Sequence, residues 1–109
     1  MAYDEGLAER LREQLAPRVG ITEKKMFGGL CFLLDGNMAC GIVGDELMVR
    51  VGPDAWEAAL AEPGARVMDF TGKVSRNMVY VGADAIAEDD DLATWVDRGL
   101  AYAGSLPPK

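Results

Sequence analysis

Histidine is absent from the chain and cysteine nearly so. Without imidazole, the side chain that ordinarily changes charge near neutral pH, imidazole-based catalysis and most zinc-site patterns are excluded. Two cysteines, Cys31 and Cys40, are too few for a disulfide scaffold. Long apolar runs are lacking as well. No stretch approaches the ~20 residues of a membrane-crossing helix, and the amino-terminal MAYDEGLAERLREQL is charged and helix-patterned, without the apolar centre of a signal peptide. A cytoplasmic protein with no membrane contact is the expectation. Positive charge is in deficit too: 11 Lys and Arg stand against 18 Asp and Glu, a formal net charge of −7. Such a chain repels a phosphate backbone unless its cations gather on one face, so direct nucleic-acid binding is disfavoured.

What remains suits one ordinary core. Half of the 109 residues are apolar, enough for a single domain over 1–109 without metal or disulfide staples, ending in a short Pro-rich tail at 105–109. Asp4 is placed to cap a first helix on which Leu7, Leu11 and Leu15 recur every four residues, with Pro17 closing it. Residues Ile21 to Lys25 read as a connector. The hydrophobic period then shifts: Met26 to Leu34, Met38 to Val43 and Glu46 to Val51 are short and β-rich, joined by Asp35-Gly36-Asn37 and Gly44-Asp45, residue types that tolerate positive φ in tight hairpins. A short second helix carries Trp56 and Leu60 after Gly52-Pro53-Asp54. Two further strands, Arg66 to Phe70 and Asn77 to Val81, flank a polar connection from Thr71 to Arg76. Acidic Glu88 to Asp91 precede a last helix with Leu92, Trp95, Val96 and Leu100 on one face and Tyr102 in its last turn.

The order α-β(3)-α-β(2)-α has too few helices for a parallel βαβ sheet, and predicts an α+β two-layer sandwich: a five-stranded antiparallel sheet with helices on one face. A sheet covered on one face alternates apolar with polar residues. Leu30 to Leu34 and Met38 to Val43 do not, so the second face also needs a cover, and self-association into a homodimer is the expected one.

The stretch Glu23-Lys24-Lys25-Met26-Phe27-Gly28-Gly29-Leu30, the hairpin Leu34-Asp35-Gly36-Asn37-Met38, the strand Glu46 to Val51 and the later Asp69-Phe70-Thr71-Gly72 with Met78-Val79-Tyr80-Val81 resemble the N-terminal domain of the TfoX/Sxy competence regulators. The similarity runs from Tyr3 to about Pro107, and Lys25-Met26-Phe27-Gly28-Gly29 leading into a strand is its most specific part. The resemblance implies an α-β(3)-α-β(2)-α fold similar to type III secretion chaperones, and a regulatory role through protein partners. Two departures go with it. The chain is expected to be a stand-alone copy, without the second helical domain of the full-length regulators. And Gly72-Lys73-Val74-Ser75-Arg76-Asn77 lacks the Pro, Met and Gly that relatives commonly place before the last strand.

Candidate sites are few. Gly28-Gly29 leads into a strand, not a helix, which excludes a phosphate loop and leaves a backbone bend or bulge at the sheet. Lys24, Lys25, Arg50, Lys73 and Arg76 are the candidate anion-binding set if they meet at one edge, and ordinary solvated charge if they do not. Cys31 and Cys40 flank a hairpin: a two-residue Asp35-Gly36 turn sets them opposite each other, and a one-residue shift separates them. They are the candidate redox pair, against two buried thiols acting as small apolar residues. Glu88 to Asp91 lacks the alternation of a calcium loop, and Ser75 and Thr71 have no visible base. No metal, cofactor or catalytic residue is implied. Three readings stand: a non-catalytic interaction module with protein partners, a small protein or enzyme that takes an anionic ligand on the basic set, and a cysteine-based redox module.

Overall fold

Asp4 begins the first helix as its residue type predicts: its Oδ1 accepts a hydrogen bond from the Leu7 amide at 3.0 Å, satisfying one of the donors a helix start leaves free. The computed structural model describes residues 3–26, 28–70 and 73–109, with side chains for all of these except 69, 70, 73 and 74. Helix α1 is Glu5–Leu15, α2 Trp56–Leu60 and α3 Asp89–Ser105, with a 3₁₀ turn at Ala83–Ile86. The strands are β1 Ile21–Met26, β2 Gly29–Leu34, β3 Asn37–Val43, β4 Glu46–Arg50, β5 Ala65–Phe70 and β6 Lys73–Val81. All neighbours pair antiparallel in one sheet, in the order β1-β2-β3-β4-β6-β5.

The α+β class stands, but the sheet has six strands where five were expected. Ile21 to Lys25 is no connector: it pairs along its length with β2, from Ile21 against Leu34 to Met26 against Gly29. The strand escaped notice because it lies at the sheet edge with Thr22, Glu23, Lys24 and Lys25 all exposed, so burial imposes no two-residue rhythm. Its lysines also blunt an edge that would otherwise invite another strand. Of the polar connection expected from Thr71 to Arg76, Lys73 to Arg76 belong to β6, and Thr71 and Gly72 lie outside the described residues, as does Phe27 of the Lys25–Gly29 segment.

The helices and one sheet face share a large cluster in which Leu7, Leu11, Phe32, Ile42, Val49, Leu92, Trp95 and Leu100 are buried. The opposite face carries a smaller cluster of Cys31, Met38, Met48, Met68 and Met78. On β4 and β6 its residues alternate with those of the first: Leu47 and Val49 face the helices while Met48 faces away, and Met78 and Tyr80 face opposite to Val79 and Val81. Apolar residues on both faces are why the strands show no apolar–polar rhythm. The expected uncovered face is buried within the chain itself, Met48 and Cys31 completely. A homodimer is therefore not required to cover it, and the premise from which one was expected falls away.

The β2–β3 hairpin turns on Asp35 and Gly36, both at positive φ, 51° and 86°, which matches the right-handed twist of the flanking strands. The carboxyl-terminal tail closes over it: the Lys109 amide donates to the Asp35 carbonyl at 2.9 Å, and Asn37 Nδ2 to the Pro107 carbonyl at 2.9 Å. At the other end of α3, Arg10 of α1 donates to the Ile86 carbonyl at 2.7 Å and to Asp89 Oδ1 at 3.2 Å. No described helix is long and apolar enough to cross a membrane.

Candidate functional site

The five expected cations do not meet. Lys24 and Lys25 lie exposed on edge strand β1, opposite Cys31 and Leu30 respectively, and so on alternate faces. Arg50 ends β4, three inter-strand spacings away, about 14 Å along the sheet. Arg76 lies on β6, and the Lys73 side chain lies outside the described residues. Arg50 and Arg76 share a corner, because the Val51 and Gly52 amides that follow Arg50 both donate to the carbonyl of Asn77, at 2.9 and 3.0 Å.

Each arginine at this corner lies on an aromatic ring. The Arg50 guanidinium stands 5.3 Å from the centroid of Tyr102, Arg76 5.6 Å from Trp56, and Arg98 of α3 5.0 Å from Trp95. Such cation–π contacts restrain the guanidinium groups. Arg98 also reaches Glu62 at 3.1 Å; among the described residues Arg50 has no carboxylate partner.

Beside Arg50 the chain is concave. An open groove of about 440 Å³ runs between the β4–α2 loop and the carboxyl-terminal half of α3, floored by Val51, Pro53, Ala101 and Tyr102 and edged by Asp54, Arg98 and Ser105. Gly52 makes it possible: its φ is 84°, and any side chain there would strike the Tyr102 ring. Across Arg98 a second depression of about 250 Å³, lined by Glu62, Pro63, Thr94 and Trp95, continues the trough. From Asp91 to Ser105 it follows about 21 Å of helix. Asn77 Oδ1, buried near this corner, has no hydrogen-bond partner among the described residues.

The cysteines stand on opposite faces. The Asp35-Gly36 turn has the expected two residues, pairing Leu34 with Asn37 and Leu33 with Met38, but the register then shifts by one between Phe32 and Leu33. Cys31 is set against Gly41, and Cys40 against Phe32. Both thiols are free and buried, Cys40 among the helix-facing residues and Cys31 among the methionines. Burial raises the proton affinity of both, Cys31 to about 11 and Cys40 to about 12, because a thiolate is poorly solvated there. The juxtaposition on which a redox pair depends is absent from this register.

Gly28 and Gly29 serve the β1–β2 hairpin rather than a bend into the sheet. Gly28, between paired Met26 and Gly29, has a φ of 74°, and a side chain at Gly29 would collide with the Ile42 carbonyl. One carboxylate is shifted among the described residues: Glu23 is held below its ordinary value by a two-pronged pair with Arg12, both contacts at 2.9 Å. That pair ties α1 to β1. Among the described residues no group of three or more Cys, Asp or Glu is placed to hold a metal ion.

Sequence reasoning missed Arg98, Pro53 and Tyr102 as groove residues. Tyr102 falls in the last turn of the helix, and its spacing from Trp95, seven residues, is the available signal that aromatic residues share one side of α3.

A six-stranded antiparallel sheet with three helices, and an open arginine-edged groove beside the longest of them, defines a small α+β domain. Residues 13–103 match the family model of the TfoX N-terminal domain, and the chain belongs to that family. Neither a curated protein nor a solved structure matches it.

Proposed function

We propose that the chain is a non-catalytic binding module that recognises a protein partner through the groove beside α3, in a regulatory setting like that implied for its family. The observation that carries this reading is the groove itself. Its apolar lining of Val51, Pro53, Ala101 and Tyr102 suits an apolar side chain, and Arg98 in that lining, with Arg50 held on the Tyr102 ring nearby, suits a carboxylate on the same segment. The proton-binding groups that the fold perturbs support recognition over catalysis. Glu23 moves down and the two thiols up to about 11 and 12, away from neutrality, where a general acid or base works best.

Panning a random-peptide library against the protein is expected to enrich sequences joining an apolar residue to an acidic one. Tyr102→Ala and Ala101→Arg both spare the buried stripe of α3, and each is expected to abolish binding of those peptides in calorimetry. Peptides that bind both variants as tightly as the parent refute the groove. A second reading, a small anionic ligand, is favoured by Arg50, which has no carboxylate partner among the described residues. It predicts calorimetric heat with a nucleotide or dicarboxylate that is lost in Arg50→Gln.

A further inference from the structure

Methionine is segregated in this fold. The sequence has six; the five described, Met26, Met38, Met48, Met68 and Met78, all belong to the outer sheet face, and the helix-facing cluster contains none. Methionine fills irregular gaps in any core, but gap-filling gives no reason for one face to take all five. The outer face also carries a thiol, and the register sets it near the end of a methionine side chain. Cys31, Gly41 and Met48 form a row across β2, β3 and β4, each paired with the next. Gly41 leaves the middle of that row open: a Cβ there would stand 3.1 Å from Cys31 Sγ and 2.9 Å from the terminal methyl of Met48. The one-residue bulge turns both Ala39 and Cys40 toward the helices, so Met38 and Gly41 become successive outward positions on β3. Met48 pairs with Tyr80, and Met78 lies two residues before Tyr80 on the same face.

We propose that Cys31, Met38, Met48 and Met78 form a binding site for a soft monovalent cation, Cu(I), on the outer face of the sheet. Thiolate and thioether sulfur select this ion over hard cations. One thiolate neutralises one positive charge, so the filled site leaves no net charge in an apolar layer, whereas a divalent ion would. On binding, the Cys31 S–H bond gives way to S–Cu and the proton passes to solvent; no electron moves. Met38 and Met78 are the less completely buried residues of the set, 8 % and 9 % exposed against 0 % for Cys31 and Met48, and mark the side from which an ion would enter. This site lies on the opposite side of the sheet from the helix layer, with Lys24 opposite Cys31 and Arg50 opposite Met78 at its margins.

The test is titration of the reduced protein, without oxygen, against Cu(I) held by the chromophoric chelator bicinchoninate. One equivalent is expected to leave the chelator, with release of one proton. Cys31→Ser and Met48→Leu should each weaken binding by roughly tenfold or more, and Cys40→Ala should leave it unchanged. Met→Leu nearly conserves volume, so the Met48→Leu and Met78→Leu variants decide the matter if the serine variant does not fold. The proposal is overturned if the parent takes no Cu(I), if the two leucine variants retain parental affinity, or if Zn(II) binds as tightly as Cu(I).

Discussion

Gly99 lies in the middle of α3, where glycine costs about 1 kcal/mol relative to alanine in an exposed helix, so Gly99→Ala ought to stabilise if propensity ruled. The packing predicts the reverse. A methyl group at Gly99 would overlap the Ala39 carbonyl oxygen and stand 3.0 Å from its carbon and 3.5 Å from Val49 Cγ1. The obstruction is backbone of a central strand, not a side chain that can swing aside. Relief requires α3 to retreat by on the order of 1 Å, and a gap of that size forfeits a quarter to a half of each dispersion contact. Leu92, Trp95, Val96, Leu100 and Ala103, all buried on that helix face, would share the loss. Overpacking of this kind costs about 1–3 kcal/mol after any gain in propensity, a fall in Tm of very roughly 5–15 °C for a domain of this size. Gly104 is the control on the same helix. Its Cβ would rest at 3.6 Å from Leu34 Cδ2, an ordinary contact, so Gly104→Ala should stabilise by a few tenths to ~1 kcal/mol. Urea unfolding followed by circular dichroism, with unchanged slopes, measures both. A Gly99→Ala protein as stable as the parent, or two alanine variants shifting in the same direction, refutes the argument that close backbone approach seats α3.

Removing the cap of α1 with Asp4→Ala should cost about 1 kcal/mol in the same unfolding assay. Glu23→Gln breaks the pair with Arg12 and should give a small loss that shrinks with added salt. Because the folded carboxyl is held below its ordinary 4.5, the contribution is complete above that value and disappears as pH falls through the lower folded value, so parent and variant converge in acid. Cys40 works in the opposite sense: its folded thiol is pushed up from 9.0 to about 12, and the stability that burial of the neutral thiol provides is complete below pH 9. Between 9 and 12 the unfolded chain has already lost the proton that the folded one keeps. Stability of the metal-free protein should then fall by about 1.4 kcal/mol per pH unit from this residue, and Cys40→Ala should flatten that part of the profile.

Helices were legible because their signals are local. Asp4 caps what its residue type says it caps, and the stripes Leu7, Leu11, Leu15 and Leu92, Trp95, Val96, Leu100 are buried as spaced. Edge strand β1 was not legible, since a strand of four consecutive exposed polar residues owes its form to hydrogen bonds with β2 rather than to burial. The absence of alternation in β2 and β3 correctly signalled two covered faces, but the identity of the cover is a tertiary fact: the chain's own methionines fill it. The groove was illegible for a similar reason. Arg98, Pro53 and Tyr102 come together only when α3 is laid across β3 and β4, while the charges that composition singled out, Lys24 and Lys25, end on the far edge.

One irregularity governs more of this molecule than any motif. With a regular hairpin after Asp35-Gly36, Leu33 opposite Met38 would set Cys31 opposite Cys40 on the same face, and a thiol would stand where Gly41 does. The extra residue in β3 instead turns Cys40 to the helix side, where it packs with Phe32 and Val49. It also presents the Ala39 carbonyl to Gly99, giving α3 its close seat, and places glycine between the sulfurs of Cys31 and Met48. Deleting Ala39 should restore the regular register. Leu33 would stay opposite Met38, Phe32 opposite Cys40 and Cys31 opposite Gly41, so both thiols keep their partners while α3 loses the carbonyl beneath Gly99. A lower Tm, with both thiols still free under mild oxidation, is the expected joint result. A deletion variant that melts with the parent would show that the bulge is incidental to the seating of α3.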